Sequence, residues 1–240
     1  MVDAAGVGEK DTILEIGPGT GLLTKVLLAR AQHVIAVETD AELIPRLQET
    51  FAKEIGEERL SLIHEDIRAF STESIGKPYR LVANIPYYIT GEIIRQFLTA
   101  KNKPLSMTLL VQKEVAERIS RPERGKESLL SLSVKAYGTP KYCFTVPKGA
   151  FFPPPKIDSA VLSVENIQSN AFSSEKEESM FFSVLRSGFA HKRKHLKGNL
   201  TSIATSEAIL DAFSKLHIPE KARAEDIKLE SWRALAHELS

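Results

Sequence analysis

The sequence predicts an α/β protein with a mostly parallel sheet and a small helical domain at its C-terminus. Short apolar runs rich in β-branched residues alternate with helical stretches over the first two-thirds of the chain. Such alternation is typical of parallel sheets covered by helices on both faces. After residue 136 two further strand-like runs appear, and from Met180 onward the pattern is helical to the end.

Five strands are predicted in the alternating region, each a short buried run. They cover Thr12–Ile16, Val34–Glu38, Leu60–Ile63, Leu81–Ala83 and Met107–Val111. Helices are predicted between them over Gly21–Arg30, Ala41–Lys53 and Gly91–Thr99.

Two later strands, Lys141–Val146 and Ala160–Val164, bring the predicted sheet to seven. Between them lies the proline-rich run Phe151–Lys156, which can be neither helix nor central strand and is therefore a shaped loop. Gln168–Glu178 is polar and indicates a linker or a helix start. We therefore expect a first domain over residues 1–166 and a helical domain over residues 167–240.

Composition indicates a globular protein of 240 residues, 42% hydrophobic and 26% charged. No apolar run approaches the roughly 20 residues that span a bilayer, and Met1-Val2-Asp3 does not begin a signal peptide, so we expect a cytoplasmic protein. The single cysteine, Cys143, excludes an internal disulfide, and its apolar strand indicates a buried structural thiol. No metal is expected, because His191 and His195 have no further ligands at metal-site spacing.

A glycine loop containing Gly17, Gly19 and Gly21 joins the first strand to the first helix. Glycines let the backbone approach a ligand closely, and a helix N-terminus offers unpaired N–H groups. A dinucleotide site would require Gly or Ala where Leu22 stands. The Glu15 carboxylate disfavours an anionic pyrophosphate but not a cationic sulfonium. The alternative is a tight turn without a ligand.

Two more acidic residues follow neighbouring strands. Glu38 closes the second strand, where a carboxylate can accept both hydroxyls of a ribose, and Asp66 after the third could accept from an adenine amino group. Each alone could be a solvated strand end. Together with Glu15 they lie at the carboxyl ends of adjacent strands, where ligands bind in open α/β sheets.

The tetrapeptide Asn84-Ile-Pro-Tyr87 follows the fourth strand at the same edge. The amino nitrogen of adenine is a poor nucleophile because its lone pair is delocalised into the ring. An amide oxygen and a backbone carbonyl can accept its N–H bonds and direct the lone pair toward a methyl donor. Pro86 stiffens the turn, and Tyr87 offers a face for stacking worth roughly 1–3 kcal/mol. The alternative is an ordinary proline turn.

These motifs resemble the ribosomal RNA adenine dimethyltransferase family, class I (Rossmann-like) methyltransferases that use S-adenosylmethionine. The matching stretches are Glu15–Gly21, Val37–Glu38, Glu65–Asp66, Asn84–Tyr87, Phe151–Ser159, Arg186–Leu200 and Arg223–Glu225. The resemblance implies cofactor-binding residues at Glu15, Gly17, Gly19, Gly21, Glu38, Asp66, Ile67 and Asn84. It implies a catalytic set of Asn84, Pro86, Tyr87 and Phe151, with Phe151 stacking on the other face of the adenine.

The net charge of +1 conceals clusters of basic residues that predict an RNA-binding face. One cluster has roughly helical spacing and predicts a basic helix: Arg186, Lys192, Arg193, Lys194 and Lys197. The other is expected in a polar loop after the fifth strand, near the mouth of the site: Arg118, Arg121, Arg124 and Lys126. The alternative for the first cluster is a solvated helix face. The target adenine must be unpaired or flipped out of its stack.

The run Val146–Ser159 and Arg223–Glu225 are similar to the housekeeping branch of the family. That branch dimethylates adjacent adenines near the 3′ end of small-subunit ribosomal RNA, so we expect a monomeric enzyme acting on the immature small subunit. The alternatives are large-subunit methylation of the resistance type, and an RNA-binding assembly factor with weak or lost activity. A DNA adenine methyltransferase is less favoured, because such enzymes generally have Asp at the position that Asn84 occupies here.

The N-terminus departs from the family pattern. The chain begins eleven residues before its first strand and contains no Gln-x-Phe-Leu motif, which in the family closes over the cofactor. This departure predicts reduced cofactor affinity and activity. The alternative to a cytoplasmic protein is an organelle form with a transit peptide.

Overall fold

The computed structural model describes residues 1–121 and 126–240, so the predicted RNA-binding residue Arg124 lies outside the described residues. The chain forms two compact units. The first unit contains Met1–Ala116 and Gly138–Ser169, and the second contains Glu117–Tyr137 and Asn170–Ser240. The chain passes from the first unit to the second for the last time after Ser169, near the predicted domain boundary at residue 166. The segment Glu117–Tyr137, however, belongs to the second unit, whereas the sequence placed it in the first domain.

The first unit contains a seven-stranded sheet in the order β3-β2-β1-β4-β5-β7-β6. The strands are β1 (Thr12–Ile16), β2 (His33–Glu38), β3 (Leu60–His64), β4 (Arg80–Asn84), β5 (Ser106–Gln112), β6 (Thr139–Val146) and β7 (Ser159–Glu165). Strands β1 to β5 are parallel, whereas β7 runs antiparallel to both β5 and β6. The predicted mostly parallel seven-stranded sheet is confirmed.

The centre of the sheet is apolar on both faces, as parallel strands under helices require. Every residue of β1 is buried, and Ile13, Leu14, Leu81 and Val82 have no exposed surface. Full burial of one such side chain contributes about 1.5–3 kcal/mol. The core therefore fixes the strands whose carboxyl ends carry the candidate site.

Helices of the first unit are α1 (Leu22–Leu28), α2 (Leu43–Thr50), α3 (Ala52–Gly56) and α4 (Thr90–Thr99). Helix α5 (Lys113–Ser120) follows β5 and enters the second unit. The predicted polar loop at Arg118 is therefore wrong. A helix forms here because Ala116 and Ile119, three residues apart, are both fully buried on one face.

The second unit is helical in its described part, with α6 (Leu129–Lys135), α7 (Glu175–Gly188), α8 (Leu196–Leu200), α9 (Ser206–Lys215) and α10 (Leu229–Glu238). Helix α7 begins five residues before Met180, because the Ser174 hydroxyl caps it by accepting from the N–H of Glu177 at 3.2 Å. Trp232 of α10 is fully buried, and the ring of Phe189 stacks on it at 5.7 Å.

The segment Glu117–Tyr137 is attached within the second unit by α10 and α7. The guanidinium of Arg233 donates to the carbonyl of Ala136 at 2.7 Å. The ring of Tyr137 stacks on Phe182 at 5.8 Å, and its hydroxyl bonds to Glu178. These contacts explain why the segment groups with residues far along the chain.

The basic run after α7 is a turn, so the prediction of one basic helix is wrong. Helix α7 ends at Gly188 and α8 begins at Leu196. At Gly188 a Cβ would lie 2.2 Å from the indole of Trp232, so the chain passes tightly against that ring. The side-chain amide of the buried Asn199 donates to the carbonyls of Gly188 at 2.6 Å and His191 at 3.2 Å and holds the turn closed.

Cys143 is half-buried in β6, whereas the sequence predicted a buried thiol. Strand β6 lies at the edge of the sheet, and all its residues are exposed or half-buried. Its pairing with β7 is irregular between Tyr142 and Phe144, on either side of Cys143. Burial raises the pKa of the Cys143 thiol, so the reactive thiolate is disfavoured.

Among the described residues no group of three or more His, Cys, Asp or Glu side chains could hold a metal ion. In the same part of the chain, no helix combines the length and the apolar character needed to cross a membrane.

Candidate active site

The strand order reverses between β1 and β4, since β2 and β3 lie on one side of β1 and β4 and β5 on the other. Ile16 of β1 pairs with Ala83 of β4. The next residues, Gly17 and Asn84, therefore leave the sheet side by side. Ligands of open α/β sheets bind beyond the carboxyl ends of the strands at such a switch point. The fold thus brings together the glycine loop and the tetrapeptide, which lie far apart in the sequence.

The three glycines of the loop have different surroundings. Gly17 and Gly19 have positive φ angles of +64° and +58°, and a Cβ at either position would meet no atom closer than 4.0 Å. Gly21 has φ +81°, and a Cβ there would lie 2.5 Å from the ring of Phe51. The backbone at Gly17 and Gly19 is therefore open to a ligand, whereas Gly21 is required by packing.

Glu38 holds the glycine loop against the end of β2. Its Oε2 accepts from the N–H of Gly19 at 3.0 Å, and its Oε1 accepts from Thr39 at 2.9 Å and Asp40 at 3.0 Å. A carboxylate can accept about four hydrogen bonds. Oε2 can therefore accept one more, as a ribose hydroxyl would require. The bond to Gly19 spans nineteen residues, and sequence spacing did not reveal it.

Glu15 is almost fully buried at the end of β1. Burial raises the pKa of its carboxyl to about 7, the Thr24 hydroxyl acts in the opposite direction, and the Glu38 carboxylate raises it further. Among the described residues, neither Glu15 oxygen has a hydrogen-bond partner of normal geometry. A cation placed near this carboxyl would favour its ionised form.

Asp66 is bound by Arg68. Its Oδ1 accepts from the backbone N–H of Arg68 at 2.9 Å and from Nε at 3.0 Å, and its Oδ2 accepts from Nε at 3.1 Å and from Nη2. These bonds lower the pKa of Asp66 to about 2. An adenine amino group would have to share or displace this partner. Arg68 was not predicted from the sequence, although an Asp side chain that accepts from the backbone N–H two residues later is typical of an Asx-turn.

Ile67, a predicted cofactor-binding residue, has a buried side chain. Its carbonyl accepts from the side-chain amide of Gln96 on α4 at 2.7 Å. The contacts described for Ile67 are therefore packing and a bond to α4.

The tetrapeptide forms a turn fixed by one buried residue. Ile85 is buried, whereas Asn84 and Pro86 are exposed. A short 3₁₀ helix, Tyr87–Ile89, follows directly. The Tyr87 side chain is half-buried, and its hydroxyl lies 2.7 Å from the hydroxyl of Ser159.

Phe151 lies in the loop between β6 and β7. Ser159, the first residue of β7, pairs with Gln112 at the carboxyl end of β5 and with Val146 at the end of β6. The loop therefore leaves the sheet at the same edge as Asn84. A 3₁₀ turn, Lys148–Ala150, precedes Phe151, which is half-buried.

The predicted RNA-binding residues that the structure describes belong to the second unit. Arg186 is exposed on α7, Lys192, Arg193 and Lys194 are exposed in the turn before α8, and Lys197 is half-buried on α8. Arg118 lies on α5.

The residues at the switch point fit a nucleotide cofactor that carries a positive charge. Gly17 and Gly19 offer open backbone, Glu38 retains an acceptor position, and Glu15 is a buried carboxyl without a hydrogen-bond partner of normal geometry among the described residues. S-adenosylmethionine, a sulfonium joined to a nucleoside, has this chemistry. The fold and the site together define a class I methyltransferase.

Comparison with known proteins identifies the family. Residues 1–240 match the family model described as Ribosomal RNA adenine dimethylase. "Ribosomal RNA small subunit methyltransferase A" of Dehalococcoides mccartyi is 43% identical over 99% of this chain and 82% of its own length. The protein of the same name from Clostridium botulinum is 37% identical over 98% of this chain and 86% of its own. The chain belongs to the ribosomal RNA adenine dimethylase family, whose enzymes use S-adenosylmethionine.

Two solved structures share the fold along nearly the whole chain. A dimethyladenosine transferase from Plasmodium falciparum has a TM-score of 0.81 at 24% identity and covers 98% of this chain and 91% of its own. The 23S rRNA methyltransferase ErmE has a TM-score of 0.78 at 23% identity, and the match covers 99% of this chain and 94% of ErmE. At these identities the likeness shows the fold alone.

Proposed function

We propose that this enzyme transfers two methyl groups to the amino nitrogen of each of two adjacent adenines near the 3′ end of small-subunit ribosomal RNA. The observation that carries the proposal is the pairing of Ile16 with Ala83, which sets Gly17 beside Asn84 at the switch point. Relatives at 37–43% identity are named small-subunit methyltransferases, which favours that RNA over the large-subunit one.

The cofactor is held by residues at the ends of β1 to β4. The open backbone of Gly17 and Gly19 would receive it, and the free acceptor position of Glu38 would take a ribose hydroxyl. The carboxylate of Asp66 would accept from the adenine amino group while it also accepts from Arg68. When bound, S-adenosylmethionine supplies an activated methyl group on its sulfonium. The buried carboxyl of Glu15 supplies the compensating negative charge.

The target adenine is held by the tetrapeptide and by Phe151. The side-chain amide oxygen of Asn84 and a backbone carbonyl of the turn accept its N–H bonds and orient the nitrogen lone pair. The rings of Tyr87 and Phe151 stack on the two faces of the base, each contributing roughly 1–3 kcal/mol. Little acid–base chemistry is needed, because positioning lowers most of the barrier.

The second unit binds RNA in this proposal. The cations of α7, the following turn and the start of α8 neutralise phosphates: Arg186, Lys192, Arg193, Lys194 and Lys197. Arg118 on α5 contributes in the same way. We propose that a monomer acts in the cytoplasm on the immature small subunit, where the target adenines are accessible.

The proposal is tested by methyl transfer from labelled S-adenosylmethionine to small subunits isolated from cells that lack the enzyme. Mass spectrometry of the RNA should find dimethyladenosine at two adjacent positions near the 3′ end. Asn84→Ala should lower the transfer rate at least a hundredfold, because the amino group is no longer oriented. The control Asn170→Ala, at an exposed position before α7, should leave the rate unchanged. Methylation of large-subunit RNA instead would contradict the substrate, and equal transfer by Asn84→Ala would contradict its role.

A further inference from the structure

We propose that the dipeptide Asp158–Ser159 is the common anchor of Tyr87 and Phe151 and sets the separation of their rings. These two rings are called the base clamp below. The inference deepens the proposed function, on which it rests, because it concerns how the adenine is positioned. Asp158 and Ser159 are positioning residues that act through the base clamp.

Ser159 holds the first ring. Its side chain is fully buried, and its backbone is paired on both sides, with Gln112 of β5 and Val146 of β6. The Ser159 hydroxyl shares a hydrogen bond of 2.7 Å with the hydroxyl of Tyr87. The backbone end of Tyr87 is already fixed in the 3₁₀ helix after β4. The Tyr87 side chain is therefore held at both ends.

Asp158 holds the second ring through a turn. Its Oδ1 accepts from the backbone N–H of Lys148 at 3.0 Å. Lys148 begins the 3₁₀ turn that leads into Phe151, and the N–H of Phe151 donates to the carbonyl of Lys148 at 3.3 Å. The carbonyl of Asp158 accepts from the N–H of Lys113 at 3.1 Å, which fixes Asp158 beside the end of β5.

Two adjacent residues, half-buried Asp158 and buried Ser159 at the start of β7, thus control both halves of the base clamp. Ser159 acts on Tyr87 directly, and Asp158 acts on Phe151 through the Lys148 turn. Loss of either contact should widen the range of ring separations. The cofactor contacts at β1 and β2 involve other residues, so they should be unaffected. If these two contacts only stabilised the fold, their loss would lower the free energy of unfolding without lowering the rate of methyl transfer selectively.

The Ser159 half is tested by a double-mutant cycle on the full chain. Ser159→Ala and Tyr87→Phe each remove one hydroxyl of the same hydrogen bond. Each should lower kcat on small-subunit RNA about five- to tenfold, and the double variant should lower it no further, because coupled residues are not additive. The affinity for S-adenosylmethionine, measured by calorimetry, should change less than twofold. Ser163→Ala, a buried serine on the same strand, is the matched control and should retain the wild-type kcat.

The Asp158 half is tested by rescue. Asp158→Asn retains an oxygen that can accept from Lys148 and should keep kcat within about twofold, whereas Asp158→Ala should lower it about tenfold. If Ser159→Ala unfolds in a thermal melt, Tyr87→Phe and the Asp158 pair still decide the question.

Three results would overturn the anchor: wild-type kcat in Ser159→Ala, losses that multiply in the double variant, or equal loss in Asp158→Asn and Asp158→Ala. Failure of the proposed function is a different result, namely that the wild-type enzyme forms no dimethyladenosine on small-subunit RNA.

Discussion

At the residue scale, three carboxyl groups lie at the ends of neighbouring strands in very different surroundings. Glu15 is buried without a hydrogen-bond partner of normal geometry among the described residues, and Glu38 accepts three backbone N–H bonds. Asp66 is surrounded by donors from Arg68. Strand-end spacing located all three acids in the sequence. Their partners depend on turns and burial that spacing does not specify, so only the structure shows how their surroundings differ.

Glu15 should make stability depend on pH. Its pKa is about 7 in the folded protein against an ordinary value of 4.5. Between those values the folded state binds a proton that the unfolded state has lost, so stability is full below pH 4.5 and falls as the pH rises through 7. Glu15→Gln should remove this loss and unfold with a free energy higher by up to about 3 kcal/mol at pH 8. Urea unfolding at several pH values from 5 to 8 measures this free energy in the wild type and in Glu15→Gln.

The exposed Glu49→Gln is the control and should keep the wild-type pH dependence. The same slope in Glu15→Gln as in the wild type would show that Glu15 is not the titrating group.

At the element scale, the strands were predicted within one or two residues, because buried apolar runs mark them directly. Helix α5 and the turn before α8 were not predicted correctly. A basic, polar stretch has the same pattern whether it is helical or not. The turn forms because Gly188 passes against Trp232 and Asn199 closes it from a later helix. Such contacts between distant residues have no signature in local spacing.

The glycine loop gives a prediction at this scale. Gly21→Ala should lower the free energy of unfolding by about 2–4 kcal/mol, because the new Cβ would lie 2.5 Å from Phe51 and φ is +81°. Gly17→Ala should lower the free energy of unfolding by only about 1–2 kcal/mol. A Cβ at this position would meet no atom within 4 Å, but the backbone φ angle remains positive. S-adenosylmethionine affinity should show the opposite order, with Gly17→Ala the weaker binder. Denaturant unfolding and calorimetry measure the two quantities.

Gly91→Ala is the control, because a Cβ there would meet no atom within 4 Å and φ is not positive. Equal destabilisation at Gly17 and Gly21 would contradict the assignment of packing to Gly21.

At the scale of the whole molecule, the chain divides into a sheet unit and a helical unit. The sequence predicted a first domain over residues 1–166 and a helical domain over residues 167–240. It did not predict that Glu117–Tyr137 belongs to the helical unit, because Arg233 and Glu178 attach that segment from roughly forty to a hundred residues away. A division drawn at one point in the sequence cannot represent a unit assembled from two stretches.

The basic turn of the helical unit gives a prediction at this scale. Replacing Lys192, Arg193 and Lys194 by Ser should weaken binding to small-subunit RNA. It should also reduce the slope of log affinity against log salt by about 2–3, the value for three lost phosphate contacts. Filter binding at several salt concentrations measures the slope. Lys53→Ser, on the sheet unit, is the control. An unchanged slope in the triple variant would place the RNA contacts elsewhere.

The most direct test of the switch-point site is a crystal structure with S-adenosylhomocysteine and an RNA containing the target adenine. We expect the nucleoside to lie along Gly17–Gly19 with its ribose bound to Glu38. We expect the amino nitrogen of the adenine to lie at Asn84, with the base between the rings of Tyr87 and Phe151. An adenine bound away from Asn84, or a cofactor bound away from the ends of β1 and β2, would contradict this expectation.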